Sequence, residues 1–273
     1  MKRKYFIIAL TILLMLLFCF PIFMAVLTSV KTQQEISRSI LSFPTALHLE
    51  NYTEAMERSD FTRSLINSCI VTFPSVALII VGASMGGYAI ARHAASNRAF
   101  RCLDKIYLAS LMIPFQILMI PIYKMYKALK LQNSLFGMIL ILTGTSIAYA
   151  TFLYVGFVKS IPIDIEEAAM IDGCNPVQTF FRVVFPIMKP TAITVAILNT
   201  MWIWNDYLLP YLVIGSDYKT IPVAVQYLRG GYGSVDMGHM MAVLVLAIIP
   251  IIIFYIFCQK YIIEGVVAGA VKG

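Results

Sequence analysis

The chain has 273 residues, of which 60% are hydrophobic and 13% charged, with a net charge of +7. Globular chains carry roughly 25% charged residues, so a chain this apolar cannot clothe a water-facing surface and is expected in lipid. Its basic residues fall in small groups between apolar runs, which fits membrane-interface charges and argues against a nucleic-acid-binding patch.

Six stretches approach the roughly 20 apolar residues that a spanning helix needs: 6–30, 65–91, 106–125, 134–158, 190–212 and 239–259. The expected fold class is therefore all-α, a polytopic membrane protein with six transmembrane helices. Residues 1–64 hold the first helix and a following segment, and 65–273 hold a five-helix core. The start, Met1-Lys2-Arg3-Lys4, resembles a secretory signal. However, the apolar run to Val30 exceeds the roughly 7–15 residues of a cleavable core, so it is read as a retained helix. Pro21, Pro74, Pro114, Pro121 and Pro250 interrupt the spans and are expected to mark kinks. With both termini cytoplasmic, twelve Lys and Arg lie inside against nine outside, clearest in the short loop 92–105 with Arg92, Arg98, Arg101 and Lys105. The segments 31–64 and 213–238 then lie outside.

Gly82-Ala83-Ser84-Met85-Gly86 contains the G-x-S-x-G string of serine hydrolases, but that elbow needs a strand–turn–helix setting. Inside a span the same residues read as G-x-x-x-G, a close helix-packing motif. Cys19, Cys69, Cys102, Cys174 and Cys258 have no metal-ligand spacing. The histidines are scattered, and no G-x-x-x-x-G-K-[ST] string occurs. Neither a catalytic role nor ATP binding is therefore assigned to this chain.

The loop 161–189, placed inside, divides by local rules into two short helices. Asp164, Glu166 and Glu167 crowd the start of the first, where acids favour the positive end of the helix dipole. Ala168, Ala169 and Met170 favour helix, and Asp172-Gly173 marks its end. Asn175, Pro176 and Gln178 make an N-cap, a first-turn proline and a capping-box partner. The second helix, with Phe180, Phe181, Val184 and Phe185 on an apolar side, is expected to stop by Pro186. Such a loop can rest on the bilayer or dock another protein, and local patterning leaves both open.

Glu167-Ala168-Ala169, three residues, Gly173, nine residues, then Val183-Val184-Phe185-Pro186 resembles the EAA loop of binding-protein-dependent ABC transporter permeases, with Val183 and Phe185 in place of Ile and Leu. Gly87-Tyr88-Ala89-Ile90-Ala91-Arg92, Trp204-Asn205-Asp206-Tyr207 with Pro210, Asn51-Tyr52-Thr53 and the tail from Glu264-Gly265 to Lys272-Gly273 resemble the carbohydrate-uptake branch of that family. The similarity runs from about residue 50 onward and is greatest to the smaller, six-span permease of maltose-type importers. It implies a second permease subunit forming a heterodimeric pore, two ATPase subunits that use ATP and Mg, and an extracytoplasmic solute-binding protein. It implies a bacterial inner-membrane location and a sugar, in particular an oligosaccharide, as cargo. Glu166, Glu167, Ala168, Ala169, Asp172, Gly173 and Pro186 would form the ATPase-coupling loop, with Glu167 its polar anchor. The last residues, Ala268 to Gly273, would also touch the ATPases. No cofactor or metal is implied on this chain itself.

Asp206 is the one acid well inside an expected span, and such groups are functional candidates. Trp204, Asn205, Asp206 and Tyr207 are candidates for the pore or substrate path. The rival reading of Asp206 is a helix-end group bonded locally with Asn205. For Trp202, Trp204, Tyr207 and Tyr211 it is an interfacial aromatic belt. The alternative function is a secondary transporter without an ATPase. It would favour paired charges or broken repeats at the midplane, and only Asp206 is present.

Overall fold

The computed structural model describes residues 2–215, 217–228 and 236–270, the side chains of 2–3 and 262–270 excepted. Its elements are helices: α1 (Lys2–Ser29), α2 (Gln33–Arg38), α3 (Glu50–Ser59), α4 (Phe61–His93), α5 (Arg98–Leu111), α6 (Phe115–Ala128), α7 (Leu135–Val158), α8 (Asp164–Ile171), α9 (Pro176–Thr179), a π-helical turn (Phe180–Val184), α10 (Phe185–Ile187), α11 (Lys189–Asn205), α12 (Leu208–Val213), α13 (Ile221–Tyr227) and α14 (Met237–Ala270). No strand occurs among the described residues.

Among the described residues, four helices are long and apolar enough to cross a membrane singly: α1, α4, α7 and α14. Two bent helix pairs are long and apolar enough when taken together, α5 with α6 bent by 108° and Pro176–Ile187 with α11 by 73°. The expected straight span 106–125 is thus broken. Pro114 has no N–H to continue α5 and disfavours a helical conformation at Ile113, so the helix stops at Leu111 and restarts at Phe115. Pro21, Pro74, Pro121 and Pro250 instead sit inside helices that run through them. The span expected over 190–212 is likewise interrupted, with α11 ending at Asn205 and α12 starting at Leu208.

The chain forms two compact units. The first comprises Met1–Ile66 and Lys219–Phe254. In it the chain leaving α1 is fixed by buried polar bonds. Lys31 is fully buried and donates from Nζ to the carbonyls of Ser39 (3.3 Å) and Ile40 (2.8 Å). Asn51 Nδ2 donates to the carbonyls of Ser29 and Lys31, both at 2.9 Å. Gly238, at the start of α14, must lack a side chain, because a Cβ there would stand 2.8 Å from Asn51 Nδ2 and from the Lys31 carbonyl.

The second unit comprises Asn67–Tyr218 and Tyr255–Gly273. Its core gathers Ile79 and Ala83 of α4, Met138, Leu142 and Tyr154 of α7, Phe180 and Val184 of the π turn, Val195 of α11 and Leu209 of α12. α4 and α7 come close together at Gly87, where a Cβ would lie 2.6 Å from Tyr154 Cβ. Of the pair read as G-x-x-x-G, Gly82 packs on Ile147, whereas Gly86 has nothing within 4 Å. The side chains of Glu264 to Ala270, and Arg229, Val271, Lys272 and Gly273 entirely, lie outside the described residues.

Candidate functional site

The segment 161–188 is built from local rules and then held from one side. Three acids occupy the first turn of α8. The helix ends in a Schellman arrangement: Gly173 takes φ +87°, its N–H donates to the Met170 carbonyl, and Cys174 N–H donates to Ala169, each at 3.0 Å. Asn175 Oδ1 then accepts from Gln178 N–H at 2.9 Å while Gln178 Oε1 accepts from Asn175 N–H at 3.0 Å, a complete capping box.

The second helix ends at Ile187, one residue past Pro186. A proline in a regular helix loses an N–H bond and crowds the carbonyl four residues back. Here Phe185 N–H reaches back to the Phe180 carbonyl, and the wider π turn carries the chain into Pro186 before it bends at Met188. The apolar side of this helix faces the core through Phe180, Val184 and Phe185. Phe180 is buried, 5.2 Å from the Tyr88 ring, and Phe185 is half-buried against it at 6.0 Å; Phe181 is exposed.

The holding residue on the segment is Glu166, only 3% exposed. Arg92 donates from Nε to Glu166 Oε1 at 2.7 Å, with Nη2 2.6 Å from the same oxygen. Nη2 also donates to the Ile161 carbonyl at 2.9 Å, and Tyr88 donates its hydroxyl to Glu166 Oε2 at 2.6 Å. Tyr88 and Arg92 stand one turn apart at the end of α4, on one face. Gly87 is beside them, so the stretch 87–92 both packs α7 and grips α8. The sequence pointed to 87–92 only through resemblance; the spacing of Tyr88 and Arg92 puts both on one helix face but does not say which acid they meet.

The remaining expected residues fall on two sides. Ala169 is buried with Glu166, whereas Glu167, Ala168, Asp172, Gly173 and Pro186 are exposed. Around Glu167 and Ala168 the segment presents Ile171, 86% exposed, and Val177, 65% exposed.

A second feature is a cavity of about 620 Å³ in the same unit, lined by residues of α5, α6, α7, α11 and α12. Of Trp204, Asn205, Asp206 and Tyr207, only Asp206 lines it, together with Trp202 and Tyr149. Asp206 Oδ1 accepts from Leu208 N–H (3.1 Å) and Leu209 N–H (3.4 Å), while Asn205 Nδ2 donates to the Met201 carbonyl (2.7 Å). Asp206 is thus a helix-start group, bonded to α12 rather than to Asn205. Tyr207 and Tyr211 stack at 5.3 Å. Ser84 lies mid-helix and donates to the Val81 carbonyl at 3.0 Å, not on a strand–turn–helix elbow.

Four long apolar helices, two bent apolar helix pairs and an ordered helix–glycine–helix segment define a polytopic α-helical membrane protein. The chain belongs to the family described as binding-protein-dependent transport system inner membrane component, which matches residues 79–267. It is similar to the probable starch degradation products transport system permease protein AmyC of Thermoanaerobacterium thermosulfurigenes, 36% identical over 99% of this chain and 97% of that protein. It is also similar to the multiple sugar-binding transport system permease protein MsmG of Streptococcus mutans, 34% identical over 94% of this chain and 93% of that one. The fold matches a chain in the crystal structure of a bacterial ABC transporter involved in the import of the acidic polysaccharide alginate. There the TM-score is 0.81 at 24% identity, covering 95% of this chain and 97% of that chain.

Proposed function

We propose that this protein is the permease subunit of an ATP-driven oligosaccharide importer, forming half of a translocation pore with a second permease. The segment 161–188 is its coupling element toward two ATPase subunits, which bind ATP and Mg. An extracytoplasmic solute-binding protein delivers the sugar. Both termini and the coupling segment are cytoplasmic. The named cargoes of the similar permeases, starch degradation products, multiple sugars and arabinooligosaccharides, support a sugar substrate.

The observation that carries the coupling role is the segment's division into two faces. One is bonded through Glu166 to α4, so a push on the segment reaches a spanning helix. The other leaves Glu167, Ala168, Ile171 and Val177 uncovered, with small and apolar groups that a cleft in an ATPase can receive. Closure of the ATPases around ATP would then bias a two-state bundle.

The test is purification in mild detergent with mass spectrometry of the associated proteins. Recovery of an ATPase and a second permease, with the ATPase lost on Glu167→Lys or Gly173→Asp while the chain still inserts, supports the reading. Normal assembly and sugar uptake by both variants would remove the coupling role. Recovery of this chain alone, even after cross-linking, would favour a secondary transporter.

A further inference from the structure

The loop between α2 and α3, in the first unit, carries a run of exposed apolar side chains. Leu41 is 66%, Phe43 76% and Leu47 69% exposed, and Ile40 and Leu49 are more than half exposed. Its polar groups, in contrast, are bonded inward. Besides the Ser39 and Ile40 carbonyls, Lys31 Nζ donates to Ser42 Oγ at 3.4 Å, and Ser42 Oγ donates to the Ser39 carbonyl at 3.0 Å. His48 N–H donates to the Val30 carbonyl at 3.0 Å, and Glu35 accepts from the amide and hydroxyl of Thr45. A loop in water can leave its carbonyls to the solvent, whereas an apolar setting demands a protein partner for each. Exposed apolar side chains over a backbone satisfied from within are what that setting requires.

We propose that the loop 39–49 is a bilayer anchor, which enters the headgroup and upper acyl layer beside α1 with Leu41, Phe43 and Leu47 as its apolar wedge. Its height follows from α1. The hydrocarbon core takes about 20 helical residues, so a crossing that begins near Tyr5 leaves the core near Ala25. Phe20, Phe23 and Val26 are still exposed there. The bonds from His48 to Val30 and from Lys31 to Ser39 and Ile40 pin the loop within about two turns of that point, at headgroup level. The loop therefore continues the bare apolar surface of α1, which favours lipid over a protein as its partner. The charge agrees. Between Glu35 and Glu50 there is no acid, and exposed Arg38 is the one cation apart from His48. Beside inserted apolar side chains, an arginine suits the phosphates of anionic phospholipid. Because Asn51 ties α3 to the Ser29 and Lys31 carbonyls, the anchor also sets the height of α3 over the membrane.

The test reconstitutes the full chain, in the complex with which it purifies, into vesicles of phosphatidylethanolamine and phosphatidylglycerol. The vesicles also contain a phospholipid with a diazirine in its acyl chain. Illumination attaches that lipid to the residues it touches, and mass spectrometry maps the adducts. The expected result is lipid adducts within 40–49. Leu41→Ser combined with Phe43→Ser should lower them by about tenfold, since two apolar side chains no longer favour the acyl layer, with adducts elsewhere on the chain unchanged. Exchanging phosphatidylglycerol for phosphatidylcholine should lower them in the parent and not in Arg38→Gln. Adducts elsewhere on the chain with none on 40–49 overturn the proposal, as do loop adducts unchanged in the double-serine variant. Adducts on 40–49 of the isolated chain that vanish in the complex also overturn it, by giving this face to a protein subunit. An Arg38→Gln protein that responds to the lipid exchange as the parent does overturns the role of Arg38.

Discussion

Arg92 and Glu166 lie 74 residues apart in the chain and meet as a nearly dry ion pair, the guanidinium 13% and the carboxylate 3% exposed. Glu166 is satisfied on both oxygens, by Arg92 on Oε1 and Tyr88 on Oε2. Arg92 in addition fixes the Ile161 carbonyl just before α8. The pair is therefore a mechanical joint between the end of a spanning helix and a segment that is otherwise largely exposed.

Removing one partner of a buried pair costs more than the pair contributes, because the survivor is left charged without compensation, about 3–5 kcal/mol. Arg92→Ala is expected to release α8 from α4, and Glu166→Gln, which keeps an acceptor for Tyr88, to release it less. Hydrogen exchange of peptides covering 161–175 measures this. It should quicken strongly in Arg92→Ala and moderately in Glu166→Gln, with little change in α7. Exchange unchanged in Arg92→Ala would show that the joint does not hold the segment.

Gly87 and Gly86 give a paired comparison one residue apart. A Cβ at Gly87 would sit 2.6 Å from Tyr154 Cβ and 3.2 Å from the Thr151 carbonyl, both on α7, whereas one at Gly86 meets nothing within 4 Å. Gly87→Val must push α4 and α7 apart, at about 1–3 kcal/mol or more. Gly86→Ala should be neutral or slightly stabilising, since alanine is the better helix former. Thermal unfolding in detergent separates them: a clear fall for Gly87→Val and none for Gly86→Ala. Equal midpoints would show that α7 is not packed on α4 at Gly87.

How much of this could be read from the chain depends on the range of the interaction. The apolar runs needed only local composition, so α1, α4, α7 and the start of α14 were legible to within a few residues, whereas α14 runs on to Ala270, well past the expected end at 259. The cap at Asn175 and the turn at Gly173 were legible because a few neighbouring residues determine them. Pro114 and Pro186 look alike as helix interruptions, yet one breaks a span and the other is carried by a π turn, because the choice rests on what packs around each. The clasp of Tyr88 and Arg92 on Glu166 was not legible, since no local rule pairs an arginine with an acid 74 positions away. Nor was the cavity, whose wall draws Gln116, Tyr149 and Trp202 from three separate helices.

Glu35 sets a pH dependence in the segment after α1. It closes a capping box with Thr32 and also accepts from the Thr45 amide at 2.8 Å and the Thr45 hydroxyl. The Thr45 hydroxyl and amide, then the Thr32 amide, hold its carboxyl down from an ordinary 4.5 to about 2. A depressed pKa contributes order that is present above 4.5 and lost as the pH falls from there through about 2. Exchange at the Thr45 amide, corrected for the intrinsic pH effect, should therefore rise below pH 4.5. In Glu35→Gln that step should vanish. A step that survives the substitution would assign it to another group.

His239 ties α3 to the start of α14. It is 8% exposed, with Nε2 3.0 Å from Glu54 Oε2 and Nδ1 2.9 Å from Asp236 Oδ2 but off the hydrogen-bond line. Both carboxylates also bond elsewhere. Asp236 Oδ1 accepts from Gly238 N–H at 3.0 Å, capping α14, and Glu54 accepts from Arg58 at 2.8 Å. Because Glu54 is about half exposed, water replaces part of what the imidazole supplies, and His239→Ala should cost about 1–3 kcal/mol locally. The loss should appear as faster exchange across 50–59. His239→Gln, whose amide can still donate toward Glu54, should restore part of the protection. If both variants exchange like the parent, the link from α3 to α14 rests instead on Asn51, whose Nδ2 bonds the Ser29 and Lys31 carbonyls, and on Gly238 packed against it.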